Sequence, residues 1–217
     1  TYNMGNGNFM NMLTPQAYDP TIRWETTTTY NVGLDYGFFN DRLSGSIDAY
    51  MRDTKDLLNS VQVPMGSNFG NRLMTNIGSI RNKGLEFSIT GIPVQTAFWS
   101  VQVGVNGTFQ DTEFTRLNVT EDDNYYIETG NISKGTGGYL CRQMVGYAPY
   151  TYYTYKQKHD AAGKPIQNEF VDLDGDGQIT EGDRYMTGKS ASPKFFYGMN
   201  LKVTYKDWDF GLNGHGA

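Results

Sequence analysis

The residues best suited to chemistry form a short acidic segment that matches the twelve-residue EF-hand loop. Its candidate ligands stand at positions one, three, five, seven and twelve of that template: Asp172, Asp174, Asp176, Gln178 and Asp183. Gly177 occupies position six, where the template needs a sharp turn, and Gln178 would bind through its backbone carbonyl. Hard oxygen ligands at this spacing suit Ca²⁺, so the segment predicts a structural Ca²⁺ loop.

The acidic segment also has a metal-free interpretation, an acidic turn held by Asx-type hydrogen bonds. Asp183 stands where Glu is usual, and its shorter side chain makes bidentate ligation less secure. Amphipathic helices do not flank the segment, so a Ca²⁺ sensor that opens a helix pair is not expected. Mg²⁺ is less favoured than Ca²⁺, because it prefers fewer protein ligands and more water.

Catalytic side chains cannot be grouped from the sequence. His159 and His215 are far apart and lack Cys, Asp or Glu at the spacing of a metalloenzyme. The sequence has no G-x-S-x-G motif, and its carboxylates are not paired for acid–base chemistry. The lone Cys141 excludes an intramolecular disulfide. We therefore expect that the chain is not an enzyme.

Tyrosines cluster in the segment that precedes the acidic loop, and they are Tyr147, Tyr150, Tyr152, Tyr153 and Tyr155. Exposed aromatic rings stack on sugar faces and anchor protein interfaces. Tyr150, Tyr152 and Tyr153 are therefore candidates for contact with a glycan or a protein partner. Packing within the loop is the commoner role of such a stretch and remains the alternative.

The elements that must hold these residues are strands with two unlike faces. In residues 30–38 the even positions are apolar, whereas in residues 43–51 the apolar positions are odd. A turn centred on Asn40–Asp41 places all of these side chains on one face of a hairpin, with the pairs 38 and 43, 34 and 47, 32 and 49, and 30 and 51. That face needs either a protein core or lipid against it.

The alternation recurs in two further hairpins. The six predicted strands span about 24–39, 42–53, 80–92, 97–110, 194–205 and 208–217. Connections within hairpins are short, whereas those between hairpins, about 54–79 and 111–193, are long. Such strict alternation is typical of transmembrane β-barrels, with tight periplasmic turns and long extracellular loops. The fold expected is all-β, an antiparallel transmembrane β-barrel portion.

Two further observations favour lipid over a protein core. The opposite faces of the strands are polar, as expected for a wet lumen, and the lumen candidates are Gln102, Asn106, Asn200 and Lys202. Aromatic residues gather at the short turns, as in an interfacial girdle: Phe38, Phe39, Phe98, Trp99, Tyr205 and Trp208. The alternative for these aromatics is ordinary β-propensity, since they are enriched in any strand.

Composition limits the remaining classes. The net charge is −5 and there is no basic stripe, so a nucleic-acid partner is not expected. Residue 1 stands within loop-like sequence and residue 217 within a strand, so we expect a portion of a larger protein. Six strands of this kind cannot close a barrel.

Several segments, in this order and at this spacing, resemble the C-terminal barrel half of the SusC/RagA-like TonB-linked outer-membrane transporters. The segments are Trp24–Thr26, Tyr30–Phe38, Tyr50–Leu58, Val63–Pro64, Asn76–Glu86, Asp172–Ile179, Asp183–Arg184 and Pro193. The resemblance covers residue 20 to the end.

The resemblance implies a 22-stranded barrel in the bacterial outer membrane, an N-terminal plug domain that this chain does not include, and a SusD-like surface lipoprotein as partner. It also implies import of oligosaccharides or peptides with energy from TonB, which would act through parts outside this chain. A rival interpretation is a secreted β-rich carbohydrate-binding or adhesin module with a Ca²⁺-binding loop. That rival would need a protein core beneath the apolar face.

Overall fold

The computed structural model describes residues 2–3, 9–10, 17–64, 66, 70–117, 125–132 and 138–217. Antiparallel strands make up most of this part of the chain, and its one helical element is a single 3₁₀ turn, Glu181–Asp183. None of the helical structure in these ranges is long and apolar enough to cross a membrane.

The strands are named here in chain order. They are β1 (Tyr2–Asn3), β2 (Phe9–Met10), β3 (Thr26–Phe38), β4 (Leu43–Gln62), β5 (Arg72–Gln95), β6 (Trp99–Arg116), β7 (Tyr126–Asn131), β8 (Tyr139–Met144), β9 (Thr151–Tyr155), β10 (Gln157–His159), β11 (Pro165–Phe170), β12 (Arg184–Ser190), β13 (Phe195–Tyr205) and β14 (Trp208–Gly216).

Six long strands form one antiparallel sheet in the order β14-β13-β6-β5-β4-β3. The register of its first hairpin confirms the one predicted from alternation, because Phe38 pairs with Leu43 and Tyr30 with Met51. Residues 39–41 all have φ near +57°, and the polar Asn40 and Asp41 tolerate this left-handed conformation well. The predicted two-residue turn at 206–207 is also present, with Tyr205 paired to Trp208.

The region predicted as a loop at 54–79 is largely strand, which corrects that expectation. β4 continues to Gln62 and β5 already begins at Arg72, with Gln62 and Arg72 paired. The register shifts around residues 55–58, and Asp56 has a positive φ of 59°. A β-bulge at this point moves side chains to the other face while backbone pairing continues, so the period-two pattern is lost although the strand is not.

The segment predicted as a long loop at 111–193 also contains ordered structure. β6 extends to Arg116, a four-stranded sheet follows in the order β12-β9-β8-β7, and β10 and β11 form a separate hairpin. This excursion is tied to β6 by backbone hydrogen bonds, from the N–H of Phe114 to the carbonyl of Tyr147 (3.0 Å) and from the N–H of Gly146 to the carbonyl of Phe114 (2.8 Å).

The core of the described chain lies at the end of the sheet opposite the short turns. Its buried apolar side chains are Ile77, Phe114, Leu117 and Cys141. By contrast, the apolar face of the six-stranded sheet stays exposed along its length, with 77% of Val32, 65% of Leu34 and 59% of Phe210 accessible. Nothing in the described part of the chain covers that face, which here is called the outward face.

Two aromatic rims bound the outward face. At the short turns the rings of Trp99 and Tyr205 are 4.3 Å apart, and these two residues are the lower aromatic rim. At the other end the ring of Phe195 lies 4.3 Å from that of Phe109 and 5.8 Å from that of Tyr197, and these three are the upper aromatic rim. Phe109 follows Trp99 by ten positions on β6. At about 3.3 Å per residue and a tilt of about 40°, the rims stand about 25 Å apart, which is the height of the apolar band of an outer-membrane barrel.

Candidate functional site

The inward, polar face of the sheet carries a concave patch of about 340 Å³ between β6, β13 and β14. Three of the four predicted lumen residues line it, and two residues that the sequence reasoning did not single out complete its polar lining: Gln102, Asn200, Lys202, Asp209 and Asn213. Lys202 stands directly opposite Gln102 on one side and Gly211 on the other, and Asn200 stands between Gly104 and Asn213. The patch thus presents one ammonium group, one carboxylate and three amides.

Glycines create the space in which these amides lie. A Cβ at Gly104 would come within 2.5 Å of the Asn200 amide, so that amide lies flat over the glycine of the neighbouring strand. The fourth predicted residue, Asn106, lies outside the concave patch and nearer the upper aromatic rim. Asn106 lies over Gly198 in the same way as Asn200 lies over Gly104, because a Cβ at Gly198 would come within 2.6 Å of the Asn106 side-chain oxygen.

The acidic loop brings three of its predicted ligands together. Carboxylate oxygens of Asp172, Asp174 and Asp176 lie within 4.8 Å of one another. The loop backbone supports them, since Asp172 accepts hydrogen bonds from the N–H groups of Gly175 (2.6 Å) and Gly177 (2.8 Å). Asp176 likewise accepts one from the N–H of Gln178 (2.7 Å). Asx-type bonds and a grouped carboxylate site therefore coexist in this loop.

Asp183 has a different environment from the three grouped carboxylates. It is fully buried, and its two oxygens accept hydrogen bonds from the N–H groups of Leu173 (2.6 Å) and Thr180 (2.7 Å). Thr180 in turn caps the 3₁₀ turn in a reciprocal capping box. These backbone hydrogen bonds, that of Thr180 above all, hold the pKa of Asp183 below its ordinary value. Asp183, predicted as the ligand at position twelve, therefore links the beginning of the acidic loop to its end through these two hydrogen bonds.

The pKa of Asp174 moves in the opposite direction. The N–H of Asp176 lowers it, but burial and the charges of Asp176, Asp183 and Asp172 together outweigh that bond and raise the pKa. Mutual repulsion among carboxylates is the electrostatic condition that a bound cation would relieve.

The tyrosine cluster divides into two environments. Tyr150 and Tyr152 remain exposed, whereas the ring of Tyr153 lies beneath two guanidinium groups, with Arg142 at 3.5 Å and Arg184 at 4.6 Å from its centroid. Arg142 also lies 3.8 Å from the ring of Tyr126. The result is a row of alternating aromatic and cationic side chains across β7, β8, β9 and β12, which we call the arginine–tyrosine row.

The arginines of this row were missed by the sequence reasoning, because they are distant from the tyrosines along the chain and gave no motif. Arg184 donates to the carbonyl of Tyr153 (2.8 Å) and to that of Tyr139, and pairs with Glu181 at 3.0 Å. It therefore joins the acidic loop to the four-stranded sheet. Asp209 could have been found from the sequence, since it follows the turn at 206–207 and stands at one of the alternate positions of β14 that belong to the polar face.

Comparisons with known proteins identify the family. Residues 1–216 match the family model for a TonB dependent receptor-like beta-barrel. The chain belongs to the TonB-dependent receptor-like β-barrel family. It is 43% identical over 200 residues to the TonB-dependent receptor SusC of Bacteroides thetaiotaomicron. The aligned stretch covers 92% of this chain and 20% of that protein. It is 31% identical over 221 residues to the TonB-dependent receptor P3 of Formosa agariphila, covering 93% of this chain and 21% of that receptor.

The fold agrees with this membership. A solved structure of the RagAB peptide transporter superposes with a TM-score of 0.77 at 24% identity, over 99% of this chain and 23% of that one. The chain thus spans about a fifth of the length of the curated relatives it matches.

Family membership confirms the outer-membrane β-barrel that the alternation predicted. In a barrel of this kind the short turns mark the periplasmic end, and contact of the outward face with lipid stays a prediction. The secreted-module interpretation is not favoured. It needed a protein core beneath the outward face, and nothing in the described part of the chain covers that face.

Proposed function

We propose that this chain forms part of the barrel wall of an outer-membrane transporter that imports oligosaccharides or peptides together with a SusD-like surface lipoprotein. The observation that carries the proposal is one continuous sheet with an apolar outward face about 25 Å tall and a polar inward face. Similarity to the TonB-dependent receptor SusC supports the transporter class, and the two substrate classes are those that the sequence resemblance implies. TonB would supply the energy through parts of the protein outside this chain, and the proposal gives the chain no enzymatic step.

The lumen patch would contact the substrate on its way through the barrel. Its amides can donate and accept hydrogen bonds, which suits sugar hydroxyls and peptide groups equally. Lys202 and Asp209 add one charge of each sign, so the patch favours a polar, overall neutral chain over a polyanion.

Uptake by the full-length protein tests the role of the lumen patch. A strain that depends on this protein would carry Asn200→Ala with Lys202→Ala, and growth would be measured on oligosaccharides and on peptides as sole nutrient. We expect slower growth on one nutrient class at normal protein levels. The control pair, Leu201→Ala with Val203→Ala, lies on the outward face of the same strand and should leave uptake unchanged. Equal uptake by both pairs would contradict the substrate contact.

The lipoprotein partnership is tested separately. Full-length protein would be extracted from native membranes in detergent, and its companions identified by mass spectrometry. A surface lipoprotein in equal amount supports the proposal, whereas a protein that elutes alone under mild extraction contradicts it. Tyr150 and Tyr152 are the exposed candidates for this contact or for a glycan. Replacing both tyrosines with alanine should weaken binding either of the lipoprotein or of a glycan.

The acidic loop is proposed to hold Ca²⁺ as a structural ion, supported by the three grouped carboxylates. Titration of the full-length protein with Ca²⁺ in a calorimeter should show one site that Asp174→Asn with Asp176→Asn removes. Asp160→Asn, in the β10–β11 turn, is the matched control for losing an exposed loop carboxylate. Identical Ca²⁺ heats for the double variant and the parent would refute the site.

A further inference from the structure

Three charged side chains stand together at the extracellular edge of the lipid-facing surface. Asp111 of β6 forms ion pairs with Lys194 at 2.7 Å and with Lys83 of β5 at 3.8 Å. Because two ammonium groups share one carboxylate, these three side chains together carry one excess positive charge. Both lysine side chains remain more than half exposed, at 56% for Lys83 and 64% for Lys194. We call these residues the rim cluster.

The register places the rim cluster on the outward face. Leu85 pairs with Phe109 on that face, and two residues further along the same strands Lys83 pairs with Asp111. This pairing shows no irregularity between the two rows, so the parity of the side chains is preserved. Lys194 lies just before β13, and its ion pair with Asp111 brings its ammonium group to the same row. The three charges thus lie directly above the apolar band, where lipid acyl chains give way to headgroups.

The rows farther from the membrane carry charges of both signs. In the next outward row Asp53 binds Arg81 at 2.7 Å, and Arg81 pairs in register with Glu113. In the row beyond, Lys55 of β4 and Arg116 of β6 both pair in register with Ser79. Lys83 and Lys194 are the basic groups of the row closest to the lipid, and they share the single carboxylate of Asp111.

We propose that Lys83 and Lys194 bind a phosphate group of the anionic glycolipid in the outer leaflet of the outer membrane. Long basic side chains at membrane edges lay their aliphatic stems against apolar surface and hold their ammonium groups in the headgroup layer, and this is the arrangement proposed for the two lysines. Asp111 holds both ammonium groups toward one point, and a phosphate oxygen there completes charge-assisted hydrogen bonds that the single carboxylate leaves unfilled. Acyl chains of the same lipid would lie against Leu85, Phe109 and Phe195.

Glycolipid binding to the delipidated full-length protein tests this site. Purified lipopolysaccharide would be added in increasing amounts, and bound lipid counted by native mass spectrometry. Each basic group near a lipid surface contributes a factor of about five, so Lys83→Gln with Lys194→Gln should weaken binding about 30-fold. The control pair Lys158→Gln with Lys164→Gln removes the same charge from the β10–β11 hairpin and should change nothing. Asp111→Asn should strengthen binding about fivefold, because it removes the one competing anion.

Two outcomes overturn the proposal. The first is equal binding by the folded double variant and the parent, or an equal loss in the control pair. The second is equal affinity of the unmodified protein for the glycolipid and for the same glycolipid stripped of its phosphates. The second comparison uses no variant, so it decides the question even where the double variant does not fold. The proposal rests on the outer-membrane location and not on transport.

Discussion

Arginine at Val103 is the sharpest test of which face meets lipid. Val103 lies on the outward face of β6 opposite Leu201, one residue from the midpoint between Trp99 and Phe109. Its Cβ therefore lies within a few ångströms of the middle of the apolar band. Arginine at the midplane of a lipid-facing barrel strand costs about 2–4 kcal/mol. At 1.4 kcal/mol per factor of ten, the folding equilibrium should fall about 30- to 700-fold for Val103→Arg.

The neighbouring residue gives the matched control. Gln102→Arg adds the same side chain at nearly the same depth but on the inward face, where it meets water and the opposing Lys202. The like charge there should cost about 0.2–1 kcal/mol. The assay is urea-dependent refolding of full-length protein into lipid vesicles, with the folded fraction read from its heat-modifiable migration in a gel. Equal folded fractions for the two variants, or a larger loss for Gln102→Arg, would refute the assignment of the faces.

Further predictions concern packing, pH and the extracellular sheet. Gly45→Ala should lower the free energy of unfolding by about 1–3 kcal/mol, because its Cβ would lie 2.1 Å from a backbone carbonyl oxygen, whereas Gly91→Ala, with nothing within 4 Å, should cost little. The lowered pKa of Asp183 stabilises the acidic loop at pH above the ordinary value of 3.8 and ceases to do so as the pH falls through the lowered value. Hydrogen-exchange protection in residues 172–183 should fall over that acidic range, and Asp183→Asn should lower it at neutral pH. Arg142→Lys should reduce exchange protection in β8 by about 1 kcal/mol, since an ammonium group cannot stack between two rings; unchanged protection would contradict that role.

The sequence predicted the sheet within the membrane well because lipid imposes a strict pattern there. Each strand meets lipid on one face and water on the other, so a one-residue error of register would expose every side chain to the wrong medium. This is why the pairing of Tyr30 with Met51 could be read from alternation alone. Above the membrane both faces meet water or protein, and the constraint disappears. The continuation of β4 past its bulge and the strands of the excursion were missed for that reason.

The candidate site could be predicted only where a single strand carries it. Parity along β6 and β13 was enough to choose Gln102 and Lys202, but their adjacency depends on pairing between strands that a long excursion separates. The upper aromatic rim was missed for the same cause, since Phe109 and Phe195 meet across that pairing. Asp183 shows a different limit. A ligand template assigns a carboxylate by its position, and it cannot show that both oxygens of Asp183 accept backbone hydrogen bonds.

The lengths of the strands link the membrane to the extracellular structure. β5 has 24 residues, which at about 3.3 Å per residue and a tilt of about 40° rise about 60 Å. The apolar band accounts for about 25 Å of that height, so more than half of β5 stands beyond the lipid. The bulge near Asp56, the core residues Ile77 and Phe114, and the excursion all belong to this upper part. The polar inward face therefore continues above the membrane as a wall.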